Sequence, residues 1–366
     1  MKMKRRIRRK EKKQKKIIIT LSIVLILFLS AGYAAFQSNI TLKAKGNTVL
    51  KKITIGGVKI PVVTSGDGLY ADDTTTGRYV YRGTNPKNYI KLGSDRYRIM
   101  AVESDGTLKV IKNGSIGYIT FDPGYSTSIS GMTDENSIIG TRYSNISTDY
   151  CYQSSGTESN YYGCNVWGSR TTMLDSLENN ITQMPREIGG TLYDLPEKEA
   201  YLNTYLNSTW LSTLSTDIQN KIVSHLFNVG TVNPSSSLNE TINQESNYKW
   251  KGKVGLMTLS DYIKSNSNIE QCSSYSLYNV NYVTCKGTQW LSFTTSIPPK
   301  YESSYPWILS SYSNSKAYSV FFIHSVSLLC NGETDISRGV SPVFYLSSNI
   351  TLSDGTGAGW DPYVVN

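Results

Sequence analysis

The chain has 366 residues, with 37 Lys+Arg against 28 Asp+Glu and a formal net charge of +9. The excess lies in the first sixteen residues, which hold eleven Lys/Arg and one acid, so that 26 bases and 27 acids remain elsewhere. A nucleic-acid-binding domain needs a basic face that neutralises phosphates. The near-neutral remainder excludes such a face, and we predict no nucleic-acid partner.

The N-terminus has the pattern of a membrane anchor. Residues 1–16 are almost all basic, and Ile17–Phe36 is an uncharged, mainly apolar run. About 20 apolar residues are needed to span the hydrocarbon core, where backbone groups must pair internally and so form a helix. Basic flanks stay in the cytoplasm. We therefore predict a cytoplasmic tail over 1–16, a transmembrane helix in the lipid bilayer over 17–36, and an extracellular C-terminus.

Two other interpretations of the apolar run exist. Gly32-Tyr33-Ala34 places small residues where a signal peptidase reads them, which would make residues 17–36 a signal segment and the mature protein secreted after cleavage near Ala34. A buried core helix is disfavoured by the basic flank. The sequence leaves anchoring and cleavage both open.

Composition predicts a strand-rich fold beyond this segment. Tyr occurs 27 times against 8 Phe, and Ser, Thr and Asn are abundant, a usage that favours strands and polar turns. Alternation over 37–66 predicts a short β-rich stalk. Residues 67–366 then form one extracellular α+β domain, because the helical patterns lie between two β-rich ends.

Local patterns predict particular elements. Asp105-Gly106 separates two alternating runs, Tyr97–Glu103 and Thr107–Lys112, which predicts a hairpin. Helical spacing of apolar residues predicts one helix around Tyr201–Leu206. It also predicts a second helix that starts at Thr216 and carries four apolar residues on one face: Ile218, Ile222, Val223 and Leu226. A buried strand over Lys253–Met257 and a short helix over Leu259–Ser265, with Ser260 at its start, are predicted next.

The five cysteines form two local pairs and one remainder. Cys151 and Cys164 have the same separation as Cys272 and Cys285, and each pair lies in a turn-rich stretch. Outside the cytoplasm such pairs predict disulfides that close loops, leaving Cys330 free. Zinc sites use CxxC or clustered His, and neither pattern is present, so we predict no metal site.

No catalytic signature is found along the chain. GxSxG, HExxH, P-loop and EF-hand patterns are all missing from the sequence. The two histidines, His225 and His324, follow apolar runs typical of structural positions. We therefore predict no catalytic residues, no cofactor and no enzymatic activity.

Several segments taken in order resemble a known family. They are GRYVYRGTNPKNYI, YRIMAVESDGTLKVI, EAYLNTYLNSTW, KVGLMTLSDY, CKGTQWLS and GVSPVFYLSSNITLSDGTGAGWDPYVV. Together they resemble an uncharacterised extracellular domain of surface and pilin-like proteins of Gram-positive gut bacteria, usually found behind one N-terminal membrane segment. The resemblance spans roughly Asp67 to Val365 and implies no established activity.

The Trp-rich C-terminal pattern also resembles, distantly, the fold shared by C-type lectins and formylglycine-generating enzymes. The enzyme branch of that fold uses two reactive cysteines. Cys272, Cys285 or Cys330 could supply them in principle, but local pairing already accounts for two of the three. Likeness at the level of fold says little about function.

These observations favour a non-catalytic, adhesin-like or lectin-like binding module that recognises a glycan or a host or envelope protein. Aromatic, polar loops are typical of binding surfaces. The candidate platforms are four tryptophans, each of which has a core position as its competing interpretation: Trp167, Trp290, Trp307 and Trp360. The alternative function is a structural cell-envelope or pilus-like assembly component with no soluble ligand.

Overall fold

The computed structural model describes residues 51–123, 125–126, 150–151, 160–161, 163–185, 191–269, 290–291, 306–312, 317–323 and 329–366. The predicted tail over 1–16, the predicted membrane segment over 17–36, Cys272, Cys285 and His324 lie outside these residues. Within the described part of the chain, no helix has both the length and the apolar character required to cross a bilayer.

The strands are β1 (Lys52–Ile55), β2 (Val58–Pro61), β3 (Gly68–Ala71), β4 (Tyr79–Arg82), β5 (Tyr89–Leu92), β6 (Asp95–Val102), β7 (Leu108–Lys112), β8 (Tyr118–Thr120), β9 (Tyr125–Ser126), β10 (Asn160–Tyr161), β11 (Met173–Asp175), β12 (Gln183–Pro185), β13 (Leu192–Asp194), β14 (Ile222–Val223), β15 (His225–Asn228), β16 (Thr231–Val232), β17 (Tyr248–Gly252), β18 (Val254–Gly255), β19 (Trp307–Tyr312), β20 (Ser319–Ile323), β21 (Leu329–Glu333), β22 (Ser337–Gly339), β23 (Val343–Leu346), β24 (Leu352–Ser353) and β25 (Tyr363–Val365). The helices are α1 (Tyr201–Thr204), a π-helical continuation (Tyr205–Trp210), α2 (Leu211–Thr213), α3 (Thr216–Lys221), α4 (Leu238–Ser246) and α5 (Leu259–Lys264).

The β6–β7 hairpin lies at the centre of the largest sheet, and its prediction from the Asp105-Gly106 turn is confirmed. Gly106 adopts φ +85°, a conformation that glycine reaches without the clash of a Cβ. The Asp105 carboxylate accepts the Thr107 backbone N–H at 2.9 Å, which closes the turn. The long strand β6 pairs with β5 along its first half and with β4 near its end.

The end of the chain returns to this hairpin. β23 pairs antiparallel with β7, and β25 pairs parallel with β5. The path through the sheet runs β14–β23–β7–β6–β5–β25–β24, with β18 added on β23 and β3–β4 added on β6. The described fold is therefore mixed and strand-rich with few, short helices, as the α+β prediction required.

The predicted second helix is wrong beyond Lys221. It starts after Ser215, whose side chain accepts from the Ile218 N–H, and it ends at Lys221. Ile222 and Val223 pair with β23 instead, and the strand carrying His225 pairs with β17. β-Branched residues fit a pleated surface, and the exposed edges of two sheets lie beside this segment. Pairing with strands distant in sequence therefore determines the conformation of residues 222–228, in spite of the helical spacing of their apolar side chains.

The short helix predicted over Leu259–Ser265 is confirmed as α5, but Ser260 does not cap its start. Thr258, and not Ser260, is the N-cap of α5, and its side chain accepts from the Asp261 N–H while Asp261 accepts from the Thr258 N–H. This reciprocal pair is a capping box. Asp261 is thereby fixed at the start of a helix of only six residues.

The segment predicted as a stalk over 37–66 contains part of the folded unit. β1 and β2 form a hairpin whose Ile55 and Ile60 are buried in the core. The Gly56 carbonyl at its tip accepts the Leu352 N–H at 2.8 Å. The compact unit spans Lys51–Asn366, so it begins before the boundary predicted at residue 67.

A buried cluster of six charged side chains joins the β3–β4 turn and the β6–β7 hairpin to α5. Three are cationic and three are anionic: Arg78, Lys109, Lys264, Asp72, Glu103 and Asp261. Their side chains are at most 15% exposed. Moving a charge out of water is costly unless it is paired, and in this cluster each charge has an opposite partner.

Asp72 and Asp261 are the two anionic centres of this cluster. Asp72 contacts Lys264 at 2.9 Å and Arg78 at 2.6 Å, while Asp261 contacts Lys109 at 2.6 Å. Burial opposes ionisation of both carboxyls, but these cations outweigh burial and hold the pKa of each below its usual range. Both carboxylates are therefore charged in the folded protein at neutral pH.

One predicted disulfide is present. Cys151 and Cys164 are bonded and buried, and closing a loop of this length stabilises the folded state by about 3 kcal/mol in the chain-entropy model. Cys330 is half-buried and has no disulfide partner among the described residues. The prediction that Cys272 bonds Cys285 falls on residues outside the described ones.

We expect Asp72→Asn to lower the free energy of unfolding by about 3–5 kcal/mol, because Lys264 and Arg78 stay buried after a carboxylate charge is removed. Urea denaturation measures the change. Asp217→Asn is the matched control, since Asp217 pairs with Lys221 but is 77% exposed, and such a pair contributes at most about 1 kcal/mol. Equal losses in the two variants would contradict the prediction.

The contribution of Asp72 depends on pH in a defined direction. In the folded protein the pKa of Asp72 is lowered, whereas in the unfolded chain it is about 3.9. The resulting stabilisation is fully present above the unfolded-state pKa and is lost as the pH falls towards the folded-state pKa. We expect the difference in unfolding free energy between wild type and Asp72→Asn to shrink below about pH 4. Denaturation at a series of pH values tests this, and a difference that grows on acidification would overturn it.

Thiol counting tests the second cysteine pair. If Cys272 bonds Cys285, the denatured, unreduced chain has one reactive thiol, that of Cys330, because Cys151 and Cys164 are already bonded. Alkylation followed by mass spectrometry measures the number, and Cys330→Ser is expected to reduce it to none. Three reactive thiols in the wild-type chain would contradict the pairing.

Candidate functional site

A cavity of about 380 Å³ lies beside β3, a volume within the range of small-ligand sites. One side is formed by β3, β4 and the segment before β3, and the other by the residues that follow α5. Its lining combines apolar side chains with a few polar and charged ones: Val62, Val63, Thr64, Tyr70, Ala71, Asp73, Arg82, Ser267, Asn268 and Ile269.

Glycine at position 68 allows the segment before β3 to form its wall. A Cβ on Gly68 would meet the Val63 side chain at 2.6 Å, so only glycine permits this approach. The Val63 N–H then donates to the Leu69 carbonyl at 2.8 Å, and Val62 bridges Leu69 in parallel. Residues 62–64 are therefore held against the edge of β3.

Asp67 fixes the turn before β3 to the loop after β4. Its carboxylate accepts the backbone N–H groups of Thr84 and Asn85 at 2.8 and 2.9 Å. Gly83 adopts φ +117°, and a Cβ there would meet the Asp67 carboxylate at 2.1 Å. The close approach requires glycine, and it sets the positions of the strand ends that carry Tyr70 and Arg82.

Asp72 and Asp73 are adjacent in sequence but have opposite environments. Both residues lie in the turn between β3 and β4. Asp72 points into the buried charge cluster, where it contacts Lys264, while the Asp73 side chain is 72% exposed and lines the cavity. The charge cluster therefore decides which of the two carboxylates faces the cavity.

The opposite wall depends on α5. Glu245, fully buried at the end of α4, accepts the Leu259 N–H at 2.8 Å and the hydroxyls of Ser260 and Ser310. Burial raises the pKa of Glu245, and the two hydroxyl hydrogen bonds oppose that rise. These contacts hold the start of α5 against α4.

The end of α5 is held by backbone pairing. The Ser265 carbonyl accepts the Gly83 N–H at 3.0 Å, and the Asn266 side-chain oxygen accepts the Asn268 N–H at 2.8 Å. Residues 267–269 are consequently placed across the cavity from β3.

Arg82 is the central charged group of the cavity. The residue is only 4% exposed. Its Nη2 contacts the Asp73 carboxylate at 3.1 Å, and its guanidinium carbon lies 5.0 Å from the centre of the Tyr70 ring. The Tyr70 hydroxyl donates to the Gly66 carbonyl at 2.6 Å, which fixes the ring. Arg82 Nε is buried and has no hydrogen-bond partner among the described residues.

Three of the four predicted tryptophan platforms are core residues, which corrects the prediction for them. Trp167 and Trp307 are each 1% exposed and pack around Phe121, at ring-centre distances of 5.5 and 6.0 Å. Trp290 is 6% exposed, and its indole N–H donates to the Tyr81 carbonyl. Large aromatic side chains gain most from burial, and this outweighs any role at the surface.

Trp360 is the exception, with 82% of its surface exposed. It follows Gly359, whose carbonyl accepts from Arg96 at 3.0 Å. Trp360 does not line the cavity. It is therefore a separate exposed aromatic surface and the one predicted platform that solvent reaches.

The residues of the cavity were not predicted from the sequence. A usable signal is nevertheless present in GRYVYRG, where Arg82 ends a strand of otherwise buried Val80 and Tyr81. A basic side chain at the end of a buried strand must have a partner or a ligand. Its carboxylate partner, Asp73, is nine positions earlier, in the turn after β3. The register of β3 and β4 places Arg82 opposite Gly68, so a local pattern does not show that the Arg82 side chain reaches Asp73.

His225 has the structural role predicted for it, although on a strand. Its ring stacks on Tyr345 with centres 3.8 Å apart. Among the residues that the structure describes, no group of three or more His, Cys, Asp or Glu side chains could hold a metal ion. The cavity offers one guanidinium, one carboxylate, hydroxyls and an amide, which suit binding of a polar ligand.

No protein-family model matches the chain, and neither a curated protein nor a solved structure matches it significantly.

Proposed function

We propose that this chain is a membrane-anchored bacterial surface protein whose extracellular domain is a non-catalytic binding module, and that its ligand occupies the cavity beside β3. The observation that carries the proposal is Arg82, a buried cation that lines a cavity of ligand size and whose Nε has no hydrogen-bond partner among the described residues. Ligand sites commonly combine apolar walls with a few fixed polar groups.

The membrane part of the proposal rests on the sequence. The basic residues 1–16 and the apolar residues 17–36 favour a single-pass protein with its C-terminus outside the cell. The Cys151–Cys164 disulfide supports an oxidising compartment, since disulfides are rare in the cytosol. Cleavage near Ala34 would release the same domain. A C-type-lectin-like fold stays a prediction on which this proposal does not depend.

The alternative function is an envelope or pilus-like assembly component. It needs self-association and no ligand in the cavity. The exposed Trp360 is available for such contacts, whereas a cavity lined by Arg82 and Asp73 has no part in them. The two functions therefore use different surfaces and can be separated by substitution.

We expect Ala71→Trp to abolish ligand binding. Ala71 lies on β3 with its side chain exposed at the cavity, so an indole there fills the space without removing a hydrogen bond. The measurement is a screen of the full chain, solubilised in detergent, against arrayed glycans and matrix proteins, followed by the variant on each hit. A loss of at least about tenfold in affinity is expected, as for a ligand excluded from a preformed site.

Trp360→Ala is the control for this experiment, because it removes a large exposed side chain outside the cavity. It is expected to leave ligand binding unchanged. Binding lost in Trp360→Ala but retained in Ala71→Trp would place the ligand at Trp360 and refute the cavity. Self-association without binding to any arrayed ligand would favour the assembly function.

A further inference from the structure

We infer that the cavity recognises a carboxylate-bearing saccharide, an acidic sugar whose carboxylate binds Arg82 in place of Asp73. The inference rests on the proposed function and adds the chemical class of the ligand. It is argued from the geometry of the guanidinium, from the exposure of Asp73 and from the polar groups of the opposite wall.

One edge of the Arg82 guanidinium has capacity that the protein does not use. Nη2 has a single contact with Asp73, at 3.1 Å, and Nε has no hydrogen-bond partner among the described residues. These two nitrogens share the edge of the planar group that a carboxylate binds with both oxygens. A bidentate ligand would satisfy Nε as well as Nη2, whereas Asp73 satisfies only one of them.

Asp73 resembles an internal substitute for the ligand carboxylate. Its side chain is 72% exposed, and a single ion pair with so exposed a group is worth little. Rotation of Asp73 into solvent therefore costs little and uncovers the guanidinium edge. Arg82 itself cannot follow, because it is 4% exposed and lies against the Tyr70 ring.

The remaining lining favours a saccharide over a peptide. Thr64, Ser267 and Asn268 supply hydroxyl and amide groups, which can both donate to and accept from sugar hydroxyls. Val63 and Ile269 supply apolar surface for the less polar face of a sugar ring. A peptide would bind through backbone partners, and at Leu69 this edge of β3 is already occupied by Val62 and Val63.

The experiment compares sugars that differ only in the carboxylate. The full chain in detergent is titrated calorimetrically with galacturonic and glucuronic acids and with their neutral counterparts, galactose and glucose. Binding of the acids is expected to be at least about tenfold tighter, the range of a charge-assisted hydrogen-bonded pair. Arg82→Gln is expected to remove that preference.

Arg82 is buried, and replacing it could disturb the fold. Asp73 is exposed, so Asp73→Ala tests the inference without that complication. Removing the competing carboxylate is expected to tighten binding of the acids by about 3- to 10-fold and to leave the neutral sugars unaffected. A gain of affinity cannot arise from misfolding. It therefore separates the inference from a general loss of structure.

Other outcomes overturn the inference in distinguishable ways. Equal affinity for acid and neutral sugars, or weaker binding in Asp73→Ala, would show that Asp73 itself accepts ligand hydroxyls, which leaves the binding module standing and refutes the acidic ligand. Saturable binding of a peptide through its C-terminal carboxylate, with none of the sugar acids, would refute the saccharide class. Failure of every arrayed ligand to bind would refute the proposed function as well.

Discussion

Six charged side chains with little access to solvent set the position of α5 against the hairpins β3–β4 and β6–β7. Asp72 and Asp261 attract cations from β7, from the turn before β4 and from the end of α5, so the charges bring together elements far apart in sequence. Apolar packing is non-directional, whereas a hydrogen-bonded ion pair requires its donor and acceptor to lie about 3 Å apart and in a suitable orientation. The cluster therefore fixes the angle between α5 and the sheet in a way that packing alone would not.

The cavity is a consequence of that arrangement. Asp72 holds Lys264 on one side, and the residues immediately next to each of them, Asp73 and Ser265, lead into the two walls. Asp72 and Asp73 are adjacent in sequence, so the cluster adjoins the cavity, and its ion pairs hold the two walls next to each other. A site supported in this way is preformed, which reduces the ordering that a ligand has to induce. Arg82, stacked on Tyr70, has the same rigidity.

Tryptophan shows why a pattern for surface binding was misleading here. Trp167 and Trp307 lie in polar, turn-rich stretches of sequence, which favoured exposed loops, yet they pack on Phe121 in the interior. Trp167 lies in a connecting segment and Trp307 begins β19, so a connecting segment and a strand both contribute large aromatic side chains to the core. The charged groups that line the cavity come instead from the β3–β4 hairpin, where Arg82 ends β4 and Asp73 lies in the turn that follows β3.

The sequence by itself determined what depends on neighbouring residues: the β6–β7 hairpin from its Asp105-Gly106 turn, the strand-rich α+β character, and the local Cys151–Cys164 disulfide. It also predicted the apolar segment over 17–36 from charge and length. Only the tertiary structure decided the rest. The strands after Lys221 replaced a helix because sheet edges were available. Arg82 lies opposite Gly68 in the β3–β4 hairpin, and its long side chain reaches Asp73 in the turn after β3. Those outcomes depend on contacts between distant residues, whose free energies a local pattern does not contain.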